Sequence, residues 1–154
     1  MLSDVDKAAI LAEAAAHEQK RAAVVDALRA VQRRAGWVSD EGVREVAALL
    51  DLTPEEVDEV ATFYSAIYRR PVGRHVILLC DSVSCWICGA GPLRGHLRAA
   101  LGIDPGQTTA DGRFTLLPTA CLGVCEQAPA MVVDEDVHGG LTPEKLDSIL
   151  ARYP

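Results

Sequence analysis

The 154-residue sequence is poor in aromatic residues, which make up 5% of it, and it contains no basic tract. Acidic residues outnumber basic residues by 22 to 15, so the formal net charge is −7. Such a chain has too few cations to displace the counterions of a nucleic-acid backbone, and we expect no nucleic-acid partner. It also lacks an export signal and a long apolar run, which predicts a chain in a reducing compartment with no direct membrane insertion.

Glycine and proline are absent from the beginning of the chain, where the first glycine is Gly36 and the first proline is Pro54. We therefore predict uninterrupted helices over residues 3–16 and 19–34. A third helix begins after the N-cap residue Ser39, and a fourth begins at a capping box that starts with Thr53 and continues through Tyr68. Residues 1–72 are accordingly predicted to form a small helical bundle.

Residues 73–154 have a different pattern, which begins with a continuous apolar run at 75–79. This run predicts a buried strand, which Cys80 ends, and the leucine spacing of residues 89–101 predicts a helix. Two further strands are expected at 114–117 and 130–133, a turn or short strand at 138–140, and a last helix after Thr142. The order strand, helix, strand, strand, helix predicts an α/β fold with a thioredoxin-like layer.

Cysteine is missing from the first 79 residues, and all five cysteines lie between positions 80 and 125. An odd number cannot close completely into internal disulfides. Cys80 and Cys85 are separated by four residues, Cys121 and Cys125 by three, and each pair is expected in a loop that follows a strand. Four thiolates at one end of a sheet can bind zinc or an iron–sulfur cluster, and these wide spacings favour a 2Fe–2S cluster.

Cys88 allows two further interpretations. With Cys80 and Cys85 it reproduces the C-x4-C-x2-C spacing of plant-type ferredoxins, which would leave either Cys121 or Cys125 without a role. Alternatively, Cys85 and Cys88 form a C-x-x-C motif, which is typical of a thioredoxin-like dithiol oxidoreductase. The spacing alone leaves these alternatives open.

From Gly36 onwards the chain resembles the E-subunit (NuoE) family of bacterial NADH:quinone oxidoreductase, respiratory complex I. The resemblance rests on the paired cysteine motifs and on several shorter stretches. The matching segments are Gly36-Trp37-Val38-Ser39, Ala61-Thr62-Phe63-Tyr64, Cys80-Asp81-Ser82-Val83-Ser84-Cys85, Gly106-Gln107-Thr108-Thr109, Asp111-Gly112-Arg113-Phe114-Thr115-Leu116, Cys121-Leu122-Gly123-Val124-Cys125, Ala128-Pro129 and Leu141-Thr142-Pro143-Glu144.

The resemblance implies a helical N-terminal region on a thioredoxin-like 2Fe–2S ferredoxin domain at 73–154. It also implies that Cys80, Cys85, Cys121 and Cys125 bind one 2Fe–2S cluster, whereas Cys88 lies outside the ligand pattern of the family. The implied function is that of an electron-transfer subunit in the NADH-oxidising module of an oxidoreductase. Related subunits serve NAD-dependent formate dehydrogenases and hydrogenases, which remain alternatives.

The sequence has no G-x-G-x-x-G after a strand and no G-x-x-x-x-G-K-[ST] motif, so NADH and flavin are expected on another chain. The resemblance implies that this partner is the flavin- and NADH-binding F subunit, with the G subunit nearby. It further implies a cytoplasmic place on the peripheral arm of an inner-membrane complex. Trp37 and the segment Phe63 to Tyr68 are candidate anchors for these partners.

Overall fold

The computed structural model describes residues 2–154, which form two compact units. The first unit ends at Pro71 and the second extends from Val72 to Pro154. Among the described residues, no helix is both long enough and apolar enough to cross a membrane.

The first unit is a bundle of four α-helices: α1 (Asp4–Ala15), α2 (Val24–Ala35), α3 (Asp40–Leu50) and α4 (Pro54–Phe63). The helix starts follow the local capping signals of the sequence. The Ser39 hydroxyl accepts a hydrogen bond from the backbone N–H of Gly42, and Thr53 and Glu56 form a reciprocal capping box. The apolar faces of the helices meet in one core, where Leu28, Val46 and Val57 are fully buried.

Two predicted helix boundaries in this unit are wrong. Residues Lys20–Ala23 form a 3-10 turn, so α2 begins at Val24 and not at residue 19. The fourth helix ends at Phe63 and does not reach Tyr68, because the side chain of Gln32 binds the following segment in a non-helical form. Its Nε2 donates to the carbonyl of Ala66, and its Oε1 accepts from the N–H of Tyr68.

The second unit contains four strands, three α-helices and a 3-10 turn at Cys125–Gln127. The strands are β1 (His75–Cys80), β2 (Phe114–Thr119), β3 (Met131–Val133) and β4 (Asp136–His138). The helices are α5 (Val83–Ile87), α6 (Ala90–Leu101) and α7 (Pro143–Leu150). The sheet order is β2-β1-β3-β4; β2 pairs with β1 in parallel, and the other two pairings are antiparallel.

The core of this unit lies between the sheet and the helices α6 and α7. Its fully buried side chains include Leu97 of α6, Leu116 and Met131 of the sheet, and Leu146 of α7. The predicted order of strand, helix, strand, strand and helix is present. The structure adds the short helix α5, which the sequence pattern did not predict.

Candidate metal centre

The parallel pairing of β1 and β2 determines where the two cysteine-bearing segments leave the sheet. Cys80, the last residue of β1, lies opposite Thr119, the last residue of β2. The N–H of Asp81 donates to the carbonyl of Thr119 at 3.1 Å, and the N–H of Cys80 donates to that of Ala130 at 3.2 Å. Because parallel strands end at the same edge, both segments begin side by side.

Cys85 does not lie in a loop, as predicted, but within the one-turn helix α5. The turn forms because the N–H of Trp86 donates to the carbonyl of Ser82 and the N–H of Cys88 to that of Ser84. Cys85 is only 3% exposed, and its thiol hydrogen-bonds to the thiol of Cys80. Burial raises the pKa of Cys85, while the N–H of Ala130 donates to its sulfur and acts in the opposite direction.

Cys121 and Cys125 form the second pair, with 3.3 Å between their Sγ atoms. Both residues are exposed. Gly123 has a φ of +81°, a left-handed conformation that suits glycine, and its N–H donates to Sγ of Cys121 at 3.4 Å. This hydrogen bond is the main reason why the pKa of Cys121 is lowered.

Ser84 links the two pairs, because its side chain hydrogen-bonds to the thiol of Cys125. The pKa of Cys125 is raised, chiefly by its hydrogen bond to Cys121, and Cys80 is close enough to add a smaller repulsion between thiolates. The sequence pattern did not identify Ser84 or the N–H of Ala130 as parts of the site. For Ser84, the one available signal was its position next to Cys85. For Ala130 there was none, because a backbone N–H donor leaves no signal in a sequence.

Cys88 follows α5 and is exposed. In the described part of the chain, the contacts that join the other four thiols to one another do not include Cys88.

The donor set is that of a 2Fe–2S cluster. The thiols form a buried pair and an exposed pair, and a 2Fe–2S cluster takes four thiolates, two on each iron. Backbone N–H groups also point at two of the sulfur atoms, which is the kind of hydrogen bonding that tunes such a cluster.

A parallel β-α-β unit with an antiparallel extension, and with cysteine pairs at one edge, defines a thioredoxin-like protein with a thiolate metal centre. The family model described as thioredoxin-like [2Fe-2S] ferredoxin matches residues 10–154. The E subunit of NADH-quinone oxidoreductase from Escherichia coli (strain K12) is 50% identical over 152 residues, which cover 99% of this chain and 92% of that protein. The corresponding protein of Pseudomonas aeruginosa is 45% identical over 153 residues, with the same coverage.

The chain therefore belongs to the thioredoxin-like [2Fe-2S] ferredoxin family and, within it, to the E subunits of NADH-quinone oxidoreductase. This membership confirms the resemblance, the fold class, the 2Fe–2S cofactor and the place among oxidoreductase subunits that the sequence predicted.

A solved structure offers a second similarity. An NAD+-reducing [NiFe]-hydrogenase in its air-oxidized state matches this chain with a TM-score of 0.69 and 30% identity. The match covers 82% of this chain but only 23% of the hydrogenase chain, so the similarity concerns one part of that protein.

Proposed function

We propose that this chain holds a 2Fe–2S cluster on Cys80, Cys85, Cys121 and Cys125 and passes single electrons to or from the flavin of a partner subunit in an NADH-oxidising complex. The observation that carries the proposal is the convergence of two cysteine pairs at one edge of the sheet. The thiols of Cys80 and Cys85 are hydrogen-bonded to each other, as are those of Cys121 and Cys125, and Ser84, next to Cys85 in the chain, hydrogen-bonds to Cys125.

The two cysteine pairs differ in exposure: one lies on the buried side of the proposed centre and the other on its exposed side. Cys80 and Cys85 are 2% and 3% exposed, so water is excluded from that side. Cys121 and Cys125 are exposed, and they mark the side from which an electron partner approaches. When bound, a 2Fe–2S cluster accepts and donates one electron at a time. The N–H groups of Gly123 and Ala130 favour the negative charge on the sulfur atoms.

In this proposal, NADH and the flavin that accepts its hydride are bound by other chains, because the sequence has no phosphate-binding motif for NADH or flavin. The F subunit would hold FMN and NADH, and the G subunit would lie nearby. Residues 1–72 would serve as a helical platform and residues 73–154 as the cluster domain. The complex would place this chain on the cytoplasmic peripheral arm.

The test is the spectrum of the chain purified without oxygen. We expect a red-brown protein with visible charge-transfer bands and an EPR signal after one-electron reduction. Cys85→Ser and Cys125→Ser should lose or distort this spectrum, whereas Cys88→Ser is the matched control and should keep it. Loss of the spectrum in Cys88→Ser would support the plant-type ligand set instead, and a colourless protein with stoichiometric zinc would refute the proposal.

The similarity to an NAD+-reducing hydrogenase supports a second candidate, the equivalent subunit of a hydrogenase; the subunit of an NAD-dependent formate dehydrogenase is a further alternative from the family resemblance alone. The near full-length identity of 50% to E subunits of NADH-quinone oxidoreductase favours the first. The purified native complex separates them: NADH-dependent quinone reduction supports the first, and reduction of NAD+ by hydrogen or formate supports the second.

The geometry disfavours a dithiol oxidoreductase that uses Cys85 and Cys88. A nucleophilic thiol needs an accessible sulfur and a lowered pKa. Cys85 is buried, and burial raises its pKa.

A further inference from the structure

The short helix α5 carries three large apolar side chains that face solvent. Val83, Trp86 and Ile87 are 65%, 69% and 71% exposed. Their spacing of i, i+3 and i+4 places them on one side of the helix, while Cys85 turns inward. We call these three side chains the α5 face. Among residues 72–154, Val137 is the other large apolar side chain with comparable exposure, at 53%.

The α5 face lies close to the exposed thiols. Ser84, in the middle of α5, hydrogen-bonds to Cys125, so the helix is in contact with the exposed cysteine pair. A five-residue helix is about 7.5 Å long and roughly 10–12 Å wide with its side chains. A standard interface covers about 800 Å² on each partner, which corresponds to a disc of roughly 16 Å radius. A partner of that size centred on Cys121 and Cys125 would therefore reach α5 as well.

The border of this region is negatively charged on the side of Cys125. Glu126 is exposed, and its carboxylate accepts only a 3.3 Å hydrogen bond from the amide of its neighbour Gln127 among the described residues. The α5 helix contacts Cys125, and the residue after Cys125 is this carboxylate without a cation. A partner surface with an apolar pocket and a lysine or arginine at its rim matches this combination.

We infer that the α5 face, formed by Val83, Trp86 and Ile87, is the docking surface for the flavin-carrying partner, with Glu126 at its charged border. This inference rests on the proposed electron transfer to that partner. Trp86 is the central anchor, because tryptophan is among the residue types that are enriched at the energetic hot spots of interfaces. The helix thereby has two roles: its inner side positions Cys85, and its outer side holds the electron partner near the centre.

The experiment measures binding between the cluster-loaded chain and the FMN-loaded flavin-binding subunit of the same complex. We expect Trp86→Ala to weaken binding about 30-fold and Ile87→Ala to weaken it several-fold, since truncation removes a central apolar anchor. Glu126→Gln should make the affinity less sensitive to salt. Val137→Ala is the matched control and should bind as the parent chain does.

The visible and EPR spectra of each variant separate docking from cluster assembly. Unchanged spectra with weakened binding for Trp86→Ala support the inference. Equal affinity of Trp86→Ala and the parent chain would overturn it. So would a dimer of the isolated chain that Trp86→Ala converts to a monomer while partner binding stays the same, because the face would then join two copies. A colourless parent chain whose partner binding still depends on Trp86 would refute the proposed function but support the docking surface.

Discussion

Gly139 packs against Gln127, in the segment that carries Cys125. A Cβ atom at position 139 would lie 2.4 Å from Cβ of Gln127 and 2.9 Å from its carbonyl oxygen. Ordinary contact begins at 3.4 Å, so Gly139→Ala requires the two segments to separate by 3.4 − 2.4, or about 1.0 Å. A rotamer change of Gln127 can move its Oε1, which is also 2.9 Å away, but it cannot move the Cβ and the carbonyl oxygen, so the overlap remains.

This displacement should reach the candidate metal centre. The N–H of Gly140 donates to the carbonyl of Gln127 at 2.6 Å, and Gln127 ends the 3-10 turn that begins at Cys125. Forcing extra volume into a packed contact lowers the free energy of unfolding by about 1–3 kcal/mol. We expect Gly139→Ala to show that loss, together with a shifted or broadened EPR signal, although it changes no cysteine.

Urea unfolding followed by circular dichroism measures the first effect, and EPR of the reduced chain measures the second. Gly95→Ala is the matched control, because a Cβ at this position in α6 meets no atom within 4 Å. In a helix interior the same substitution should raise the free energy of unfolding by about 0.4–1 kcal/mol and leave the EPR signal unchanged. If Gly139→Ala matched the parent chain in both measurements, the contact with Gln127 would not control the Cys125 segment.

Two further predictions concern pH. Hydrogen bonds from the backbone N–H and the hydroxyl of Thr53 lower the pKa of Glu56 below its ordinary value of 4.5. The ionised Glu56 therefore stabilises the folded state above pH 4.5, and this contribution is lost as the pH falls through the lowered pKa. The melting temperature of Glu56→Gln should therefore lie below that of the parent chain at neutral pH and approach it in acid; a constant difference would contradict this. Burial, with a hydrogen bond to Asp136, raises the pKa of Tyr153 to about 12 from 10. Because the folded state keeps the phenol neutral, stability should fall as the pH rises from 10 to 12, and Tyr153→Phe should flatten that fall in thermal melts.

Local signals account for the parts of the fold that the sequence predicted correctly. The starts of α3 and α4 depend on hydrogen bonds within four residues, such as that between Ser39 and Gly42, and these are visible in the sequence. The end of α4 depends on Gln32, which is more than 30 residues away from the carbonyl it binds. A partner at that distance leaves no periodic pattern near the helix end, so the sequence predicted too long a helix.

The helix α5 was missed for another reason, which also explains the ambiguity over Cys88. Five residues are too few to show an apolar period, and the apolar residues of α5 face solvent rather than the core. Spacing gives only the length of chain between thiols. From the sequence alone, a ligand set in the C-x4-C-x2-C pattern and a ligand set of two separate cysteine pairs were therefore both consistent with the chain. The single turn of α5 determines where each thiol points: Cys85 faces inward towards Cys80, and Cys88 lies at the exposed end. That difference in direction supports Cys85 as a ligand and Cys88 as the spare thiol, which is why the serine variants at these two positions test the ligand set most directly.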